Sequence, residues 1–267
     1  MSGITWKDVG TGPAVVLLHA FPCDHRMWSG QVGAIENAGW RALVPDLPGF
    51  GTSSLVTEEP ALGAVVDALH EDLLERGVDR FVLVGLSVGG YLAMEWLRRS
   101  PEAIAALALC DTKATIDSEQ ARAGRLAMAS AVLDEPDRAA QILEERMLAG
   151  LLGPTTREHR PGIVAQVHQW LEAAPACTIA WFQQAMADRV DSVETLAAAE
   201  IPVTVIWGVQ DGMSPREEQE TMLAALRDGA LVEIPEAGHL SAIENPSAVT
   251  EALLRFLADV RGSTLQG

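Results

Sequence analysis

The sequence predicts a doubly wound α/β fold, with a mostly parallel sheet and an inserted helical cap. Three patterns point to it. Six short apolar runs rich in β-branched residues recur along the chain, helical patterns separate them, and between residues 112 and 200 the alternation gives way to helix-like segments alone. The 267 residues are enough for one large domain, and a hydrophobic fraction of 48% fits a packed core rather than a disordered chain.

The elements follow in order. PAVVLLHA (13–20) precedes a helix near 28–38, WRALVPDL (40–47) one near 61–76, and FVLVGLS (81–87) one near 89–99. IAALALCD (104–111) leads into the insertion, where Pro136, Pro154, Pro161 and Pro175 punctuate four or five helical segments with no convincing strand. The rhythm resumes with PVTVIWG (202–208) and a helix near 215–227, then ALVEIPEAG (230–238) and a helix near 246–259. Ser214-Pro215 and Asn245-Pro246 open those two helices. Strands this continuously apolar belong to a parallel sheet covered on both faces. Residues 1–111 and 201–267 are therefore expected to form the core, and 112–200 the cap.

Charge and cysteines narrow the functional classes. With 37 acidic against 19 basic residues, the formal charge of −18 repels phosphate backbones and anionic lipid, so neither nucleic acid nor a membrane surface is expected as a partner. The three cysteines, Cys23, Cys110 and Cys177, are odd in number and lack metal-ligand spacing, which predicts no metal site and no disulfide framework and fits the cytoplasm. MSGITWKDVG lacks the regions of a signal peptide, and no apolar run is long enough to span a bilayer. The expected partner is a small molecule, with a homodimer left open.

The stretch FVLVGLSVGGYLAMEW (81–96) carries the strongest chemical signal. An apolar strand ends on Ser87 and turns at once into a helix, which requires a tight corner; Gly85, Gly89 and Gly90 give the room for it. Such a corner lifts the serine oxygen above the carboxyl edge of the sheet, where open α/β sheets bind ligands, and makes Ser87 a candidate nucleophile. The competing reading is a helix N-cap serine with packing glycines. A serine nucleophile needs a base and a carboxylate to orient it. His239, in AGHLSAIENP just past the last strand, is the candidate base; His70, His159 and His168 fall in helical patterns, and His25 is placed to line a pocket mouth. Asp211, in WGVQDGMSP after strand 202–208, is the candidate acid, and the order Ser, Asp, His favours it. Asp111, which terminates strand 104–110, competes for the role, whereas Asp46 in DLPGFG reads as a turn residue capping local amides. Two amides should stabilise an oxyanion. One belongs to Val88, next to the nucleophile. The other belongs to Phe21 in HAFPCDH, because Pro22 has no amide to give.

Taken together, H-A-F-P, D-L-P-G-F-G-T-S, G-L-S-V-G-G, G-V-Q-D and A-G-H stand in the order found in the α/β-hydrolase superfamily, which the chain resembles over nearly its whole length. The resemblance implies the α/β-hydrolase fold: eight mostly parallel strands with a cap after the sixth. Only ITWKDVG precedes PAVVLLHA, so the N-terminal antiparallel part should be short and the first strand missing. Ala20 departs from the glycine common at that position, which a backbone with negative φ would accommodate.

Within the superfamily the nucleophile sorts the chemistry. Dehalogenases and epoxide hydrolases need an aspartate at the elbow, and the latter use cap tyrosines; here the residue is Ser87, and the single tyrosine, Tyr91, lies outside the cap. The resemblance therefore implies a cofactor-free serine hydrolase acting on carboxylic esters or lactones through an acyl-enzyme. The stretch from Gly85 to Ala114 is similar to small esterases and enol-lactonase-like hydrolases. The same triad can also serve a carbon-carbon bond hydrolase, an acyltransferase or a perhydrolase, and the fold can serve a non-catalytic binder. Trp28, Met128, Met147, Trp170, Trp181, Phe182 and Met186 are candidates to line an apolar pocket, against the plainer account that they pack helices. Lys113 and Arg122, near the cap entrance, are candidates to receive an anionic substrate group, against a plainer solvated role.

Overall fold

Strands Ala14–Leu18 (β2), Arg41–Pro45 (β3), Phe81–Leu86 (β4), Ile104–Cys110 (β5) and Val203–Gly208 (β6) are buried at nearly every residue, as a sheet covered on both faces demands. A short strand, Trp6–Val9 (β1), and Gly229–Ile234 (β7) close the two edges. In the computed structural model, which describes residues 3–55 and 59–264, the seven strands run in the order β1-β3-β2-β4-β5-β6-β7. β1 is antiparallel to β3, and every other pairing is parallel. Among the described residues the sheet has seven strands with a brief antiparallel start, one fewer than the eight the resemblance implied. The last strand stops at Ile234 rather than Gly238, because Pro235 removes an amide and Glu236 takes a positive φ of 53°; the residues before His239 are therefore loop.

The helices are Ser29–Asn37 (α1), Leu62–Glu75 (α2), Val88–Arg99 (α3), Glu119–Asp134 (α4), Ala139–Leu151 (α5), Pro154–His159 (α6), Pro161–Ala173 (α7), Ala176–Ala187 (α8), Val193–Ala197 (α9), Arg216–Ala225 (α10), Ser241–Glu244 (α11) and Pro246–Thr264 (α12). α1 packs on α12, while α2, α3, α9 and α10 form a second contiguous group, so helices cover the sheet from two sides. Six helices, α4 to α9, lie between β5 and β6, one or two more than the proline spacing predicted. Pro154 and Pro161 open helices instead of merely separating them, and a proline at the first helical turn sacrifices no intrahelical bond.

The strand order fixes where a ligand site must lie. From β2 the chain crosses to β3 on one side, and from β4 it crosses to β5 on the other, so the direction of winding reverses between β2 and β4. A crevice opens beyond the carboxyl ends of strands at such a switch point. Those two ends lead directly into Phe21 and Ser87.

Candidate active site

Ser87 sits at the corner between β4 and α3 with φ 56° and ψ −113°, a conformation that non-glycine residues seldom adopt. Its surroundings hold it there. The Ser87 N–H donates to Cys110 O at 3.0 Å, and Thr112 Oγ1 donates to Ser87 O at 2.8 Å. The glycines allow the crossing: a Cβ on Gly85 would lie 2.2 Å from Gly89 O, and one on Gly89 would lie 2.4 Å from Leu18 O. Helix and strand can be this close only without side chains between them.

The loop after β7 brings His239 to this corner, with Nε2 2.7 Å from Ser87 Oγ. On the other side of the ring, Nδ1 lies 2.9 Å from Asp211 Oδ2. A carboxylate at Nδ1 selects the tautomer with the proton there, leaving Nε2 free to accept the serine proton. Asp211 is itself fixed by the amides of Met213 (2.8 Å) and Ser214 (3.1 Å) and by the Ser214 hydroxyl. Ser87, His239 and Asp211 therefore form one continuous hydrogen-bonded chain, and both His239 and Asp211 are buried. Burial of His239 opposes its protonation, but the charge and hydrogen bond of Asp211, with Asp111 and Glu244 nearby, outweigh it and raise the imidazole's pKa above its ordinary value. For Asp211, burial pushes the other way, yet His239 and the donors from Ser214 hold the carboxyl below its usual range.

The competing acid, Asp111, is also buried beside this group but faces different partners. Its Oδ1 accepts the Gly208 N–H at 2.7 Å, and its Oδ2 accepts from the amide (3.2 Å) and hydroxyl of Ser241. Burial, reinforced by the neighbouring Asp211 charge, drives its pKa well up. Of the two acids, Asp211 holds the ring nitrogen, while Asp111 joins the ends of the two loops that carry Asp211 and His239.

The Phe21 loop is shaped by His19, which with Pro22 flanks Phe21 in sequence. His19 is fully buried; its Nε2 accepts the Leu47 N–H at 2.9 Å while Nδ1 donates to Ala20 O at 2.9 Å. Burial lowers its pKa, which favours the neutral ring this pairing requires. The loop then turns back through Cys23 N–H to Ala20 O (2.8 Å), and Ala20 is not among the residues with positive φ. Among the described residues, neither the Phe21 nor the Val88 N–H donates to a protein acceptor. The Phe21 ring packs 5.7 Å from Phe50 and 6.4 Å from Phe182 of α8, and Trp181 lies 5.2 Å from Phe182. Thr178 Oγ1, also on α8, donates to Gly49 O at 3.1 Å, so α8 rests on both loops at this end of the sheet.

The remaining candidates are placed as follows. Trp28, Met128, Trp170, Trp181, Phe182 and Met186 are buried in the hydrophobic core, and Met147 is half-buried against it. Lys113 is no solvated charge: it pairs with Asp117 at 3.3 Å, and Arg122 pairs with Asp188 at 2.5 Å. Tyr91 lies under the Arg189 guanidinium, 4.3 Å from its ring centre. His70 packs on Trp96, and His159 and His168 lie near Glu158 and Glu144. His25 Nδ1 is 2.6 Å from Asp46, which also accepts the Thr52 amide at 3.0 Å, the turn role read from DLPGFG. Asp24, His25 and Asp46 bring possible metal-ligand atoms within 4.8 Å of one another, but Arg26 occupies both Asp24 oxygens, and His25 and Thr52 occupy those of Asp46. A groove of about 880 Å³ lined by parts of β6, β7 and α12 contains none of Ser87, Asp211 or His239.

The model of the alpha/beta hydrolase family matches residues 15–252, from β2 into α12. The chain belongs to the alpha/beta hydrolase family. Among solved structures similar to it is an esterase from Thermogutta terrifontis, 35% identical with a TM-score of 0.91, covering 96% of this chain and 93% of that one. An enol-lactonase from Burkholderia xenovorans LB400 (22% identical, TM-score 0.85, 96% of each chain) shares the fold. So does a bromoperoxidase from Bacillus anthracis (23%, TM-score 0.83, 96% and 95%). Among the described residues, no helix of this family member is long and apolar enough to cross a membrane.

Proposed function

We propose that this alpha/beta hydrolase cleaves carboxylic esters or lactones through an acyl-enzyme, with Ser87 as nucleophile, His239 as base and Asp211 as the orienting acid. The observation that carries this reading is the unbroken hydrogen-bonded chain from Ser87 Oγ through the ring of His239 to Asp211, with Ser87 held at φ 56° on the corner. As Ser87 Oγ attacks the carbonyl carbon, His239 Nε2 takes its proton, and Asp211 favours the imidazolium that forms. The carbonyl oxygen becomes an oxyanion, for which the Phe21 and Val88 amides are the proposed donors; each such donor is worth about 3 kcal/mol in the transition state. His239 then returns the proton to the leaving alcohol. Water, activated by the same base, releases the acid and regenerates Ser87.

Similarity to the Thermogutta esterase supports ester chemistry. In this reading residues 112–200 form a cap over the site, whose α8 aromatics Trp181 and Phe182 give it an apolar wall. Three free cysteines suit a cytoplasmic setting. The test is incubation with p-nitrophenyl acetate, a lactone panel and a fluorophosphonate probe, with product analysis. Labelling at Ser87 together with release of acid and alcohol supports the proposal. An unlabelled Ser87 with no turnover across the panel argues for a binder, and products of carbon-carbon cleavage or of peroxide transfer redirect the chemistry.

A further inference from the structure

Glu244, the last residue of α11, is only 2% exposed. Its Oε1 accepts from the Gly238 N–H (3.0 Å) and the Leu240 N–H (3.1 Å), the two amides that flank His239 in sequence. Its Oε2 accepts from the Gly153 N–H at 2.8 Å, just before α6 in the inserted helices. The same short piece of the insertion reaches the acid's loop. Thr155 N–H donates to Gln210 Oε1 at 3.2 Å, Gln210 Nε2 donates to Thr155 Oγ1 at 2.7 Å, and Gln210 N–H donates to Ala237 O at 2.8 Å. Arg160 completes the attachment, donating to the carbonyls of Glu236 (2.8 Å) and Glu244 (2.7 Å) and pairing with the Glu236 carboxylate at 2.9 Å. Contact here is so close that a Cβ on Gly238 would lie 2.2 Å from Gly153 N.

We propose that Glu244 is a positioning residue for His239, and that residues 153–160 of the insertion complete the mount holding the imidazole between Asp211 and Ser87. Loops after strands are ordinarily the mobile part of a fold. This one is gripped on both sides of the base by a single buried carboxylate, through charge-assisted bonds stronger than neutral ones. Misplacing a catalytic group by about 1 Å can cost on the order of 100-fold in rate. A purely structural Glu244 would satisfy the same amides, so its charge and its reach must be separated. The groups facing His239 are Ser87 at Nε2, Asp211 at Nδ1, and the carboxyls of Asp111 and Glu244 nearby. Removing one negative charge from this set makes the protonated ring less favourable.

The kinetic arm rests on the hydrolase reading above; the spectroscopic arm does not. With ¹⁵N-labelled histidine, the His239 ring is titrated in wild type, Glu244→Gln, Glu244→Asp and Arg160→Gln, and each is assayed on p-nitrophenyl acetate. Glu244→Gln should move the His239 midpoint to lower pH and cut kcat by ~10-fold or more with KM nearly unchanged. Glu244→Asp should return the midpoint toward wild type but not kcat, because the shorter side chain cannot span Gly238 and Gly153. Arg160→Gln should lower kcat a few-fold without moving KM, and together with Glu244→Asp it decides the matter should Glu244→Gln fail to fold. Titration and kcat matching wild type in Glu244→Gln overturn the proposal, as does a loss of kcat that only tracks the folded fraction. Should wild type show no turnover while the His239 signal responds as described, the hydrolase reading falls and the positioning role stands.

Discussion

Replacing Gly85 by alanine tests whether closeness at the corner is what the glycines provide. The added methyl would stand 2.2 Å from the carbonyl oxygen and 2.4 Å from the carbonyl carbon of Gly89, both backbone atoms of α3. Ordinary contact starts near 3.4 Å, so strand and helix must separate by about 1 Å. Overpacking costs roughly 1–3 kcal/mol when side chains can yield; against backbone the upper end, about 3 kcal/mol, is expected. The same displacement would stretch the 2.7 Å Ser87–His239 bond to about 3.7 Å, beyond hydrogen-bonding range. A kcat loss of ~100-fold, or about 2.7 kcal/mol of barrier, should follow. Urea unfolding and ester kinetics on the purified variant measure both effects. Gly124→Ala is the matched control: its Cβ would meet nothing within 4 Å on α4, and an alanine in a helix interior gains up to ~1 kcal/mol. A Gly85→Ala protein with the unfolding midpoint and kcat of wild type would refute the steric reasoning.

Asp211→Asn should cut kcat by ~10³–10⁴-fold by selecting the wrong His239 tautomer, whereas Asp111→Asn, which leaves the bond between Asp211 and His239 in place, should cost less than ~10-fold; the reverse order in a side-by-side assay would transfer the acid's role to Asp111. With His239 as the proposed base, turnover would require its neutral ring, whose pKa is raised, so kcat/KM should climb with pH through a midpoint above the ordinary histidine value of 6.5; a midpoint below it would contradict the pairing with Asp211. Phe182→Ala, at a fully buried ring between Phe21 and Phe50, should lose about 3–5 kcal/mol of stability in denaturant titration, and a cost under 1 kcal/mol would show that α8 is not packed on the Phe21 loop as described. Burial opposes ionisation of Asp117, but Arg189 and Arg125 hold its carboxyl far below the usual range, so its stabilisation is present above the unfolded carboxylate pKa and is lost as pH falls toward the folded one. Asp117→Asn should therefore destabilise the protein at neutral pH and converge on wild type in strong acid; a pH-independent difference would dismiss the ion-pair account.

The five inner strands were legible because they are buried on both faces, which leaves long β-branched runs such as FVLVGL with little to confuse them with. The corner at Ser87 was legible for a local reason: the glycines that permit it lie within a few residues of it. Choosing between Asp111 and Asp211 was harder, since each follows a strand at the same edge; which one meets the imidazole depends on how far the Gly208–Ser214 turn folds back, and that is a three-dimensional matter. How His19 shapes the turn beside Phe21 was not legible, because its partner, the Leu47 amide, is brought alongside from 28 residues away. Glu244 and Arg160 were invisible for the same reason in stronger form. Their partners lie up to 91 residues distant, and nothing in SAIENP or EHRPG marks either side chain as more than a surface charge. The six-helix insertion was undercounted because prolines were treated as breaks, although two of them start helices.

The hydrogen bond from Gly153 to Glu244 limits how freely this fold can be recombined. A chimaera that swaps the stretch between β5 and β6 for a foreign one, to change what the protein accepts, would leave a carboxylate deep in the scaffold with one oxygen unmatched unless the donor segment also delivers a backbone N–H at that spot. Successful grafts should therefore be those that leave residues 153–160 in place, or whose replacement carries an equivalent turn, and library design can be restricted to α4, α5 and α7 from the start.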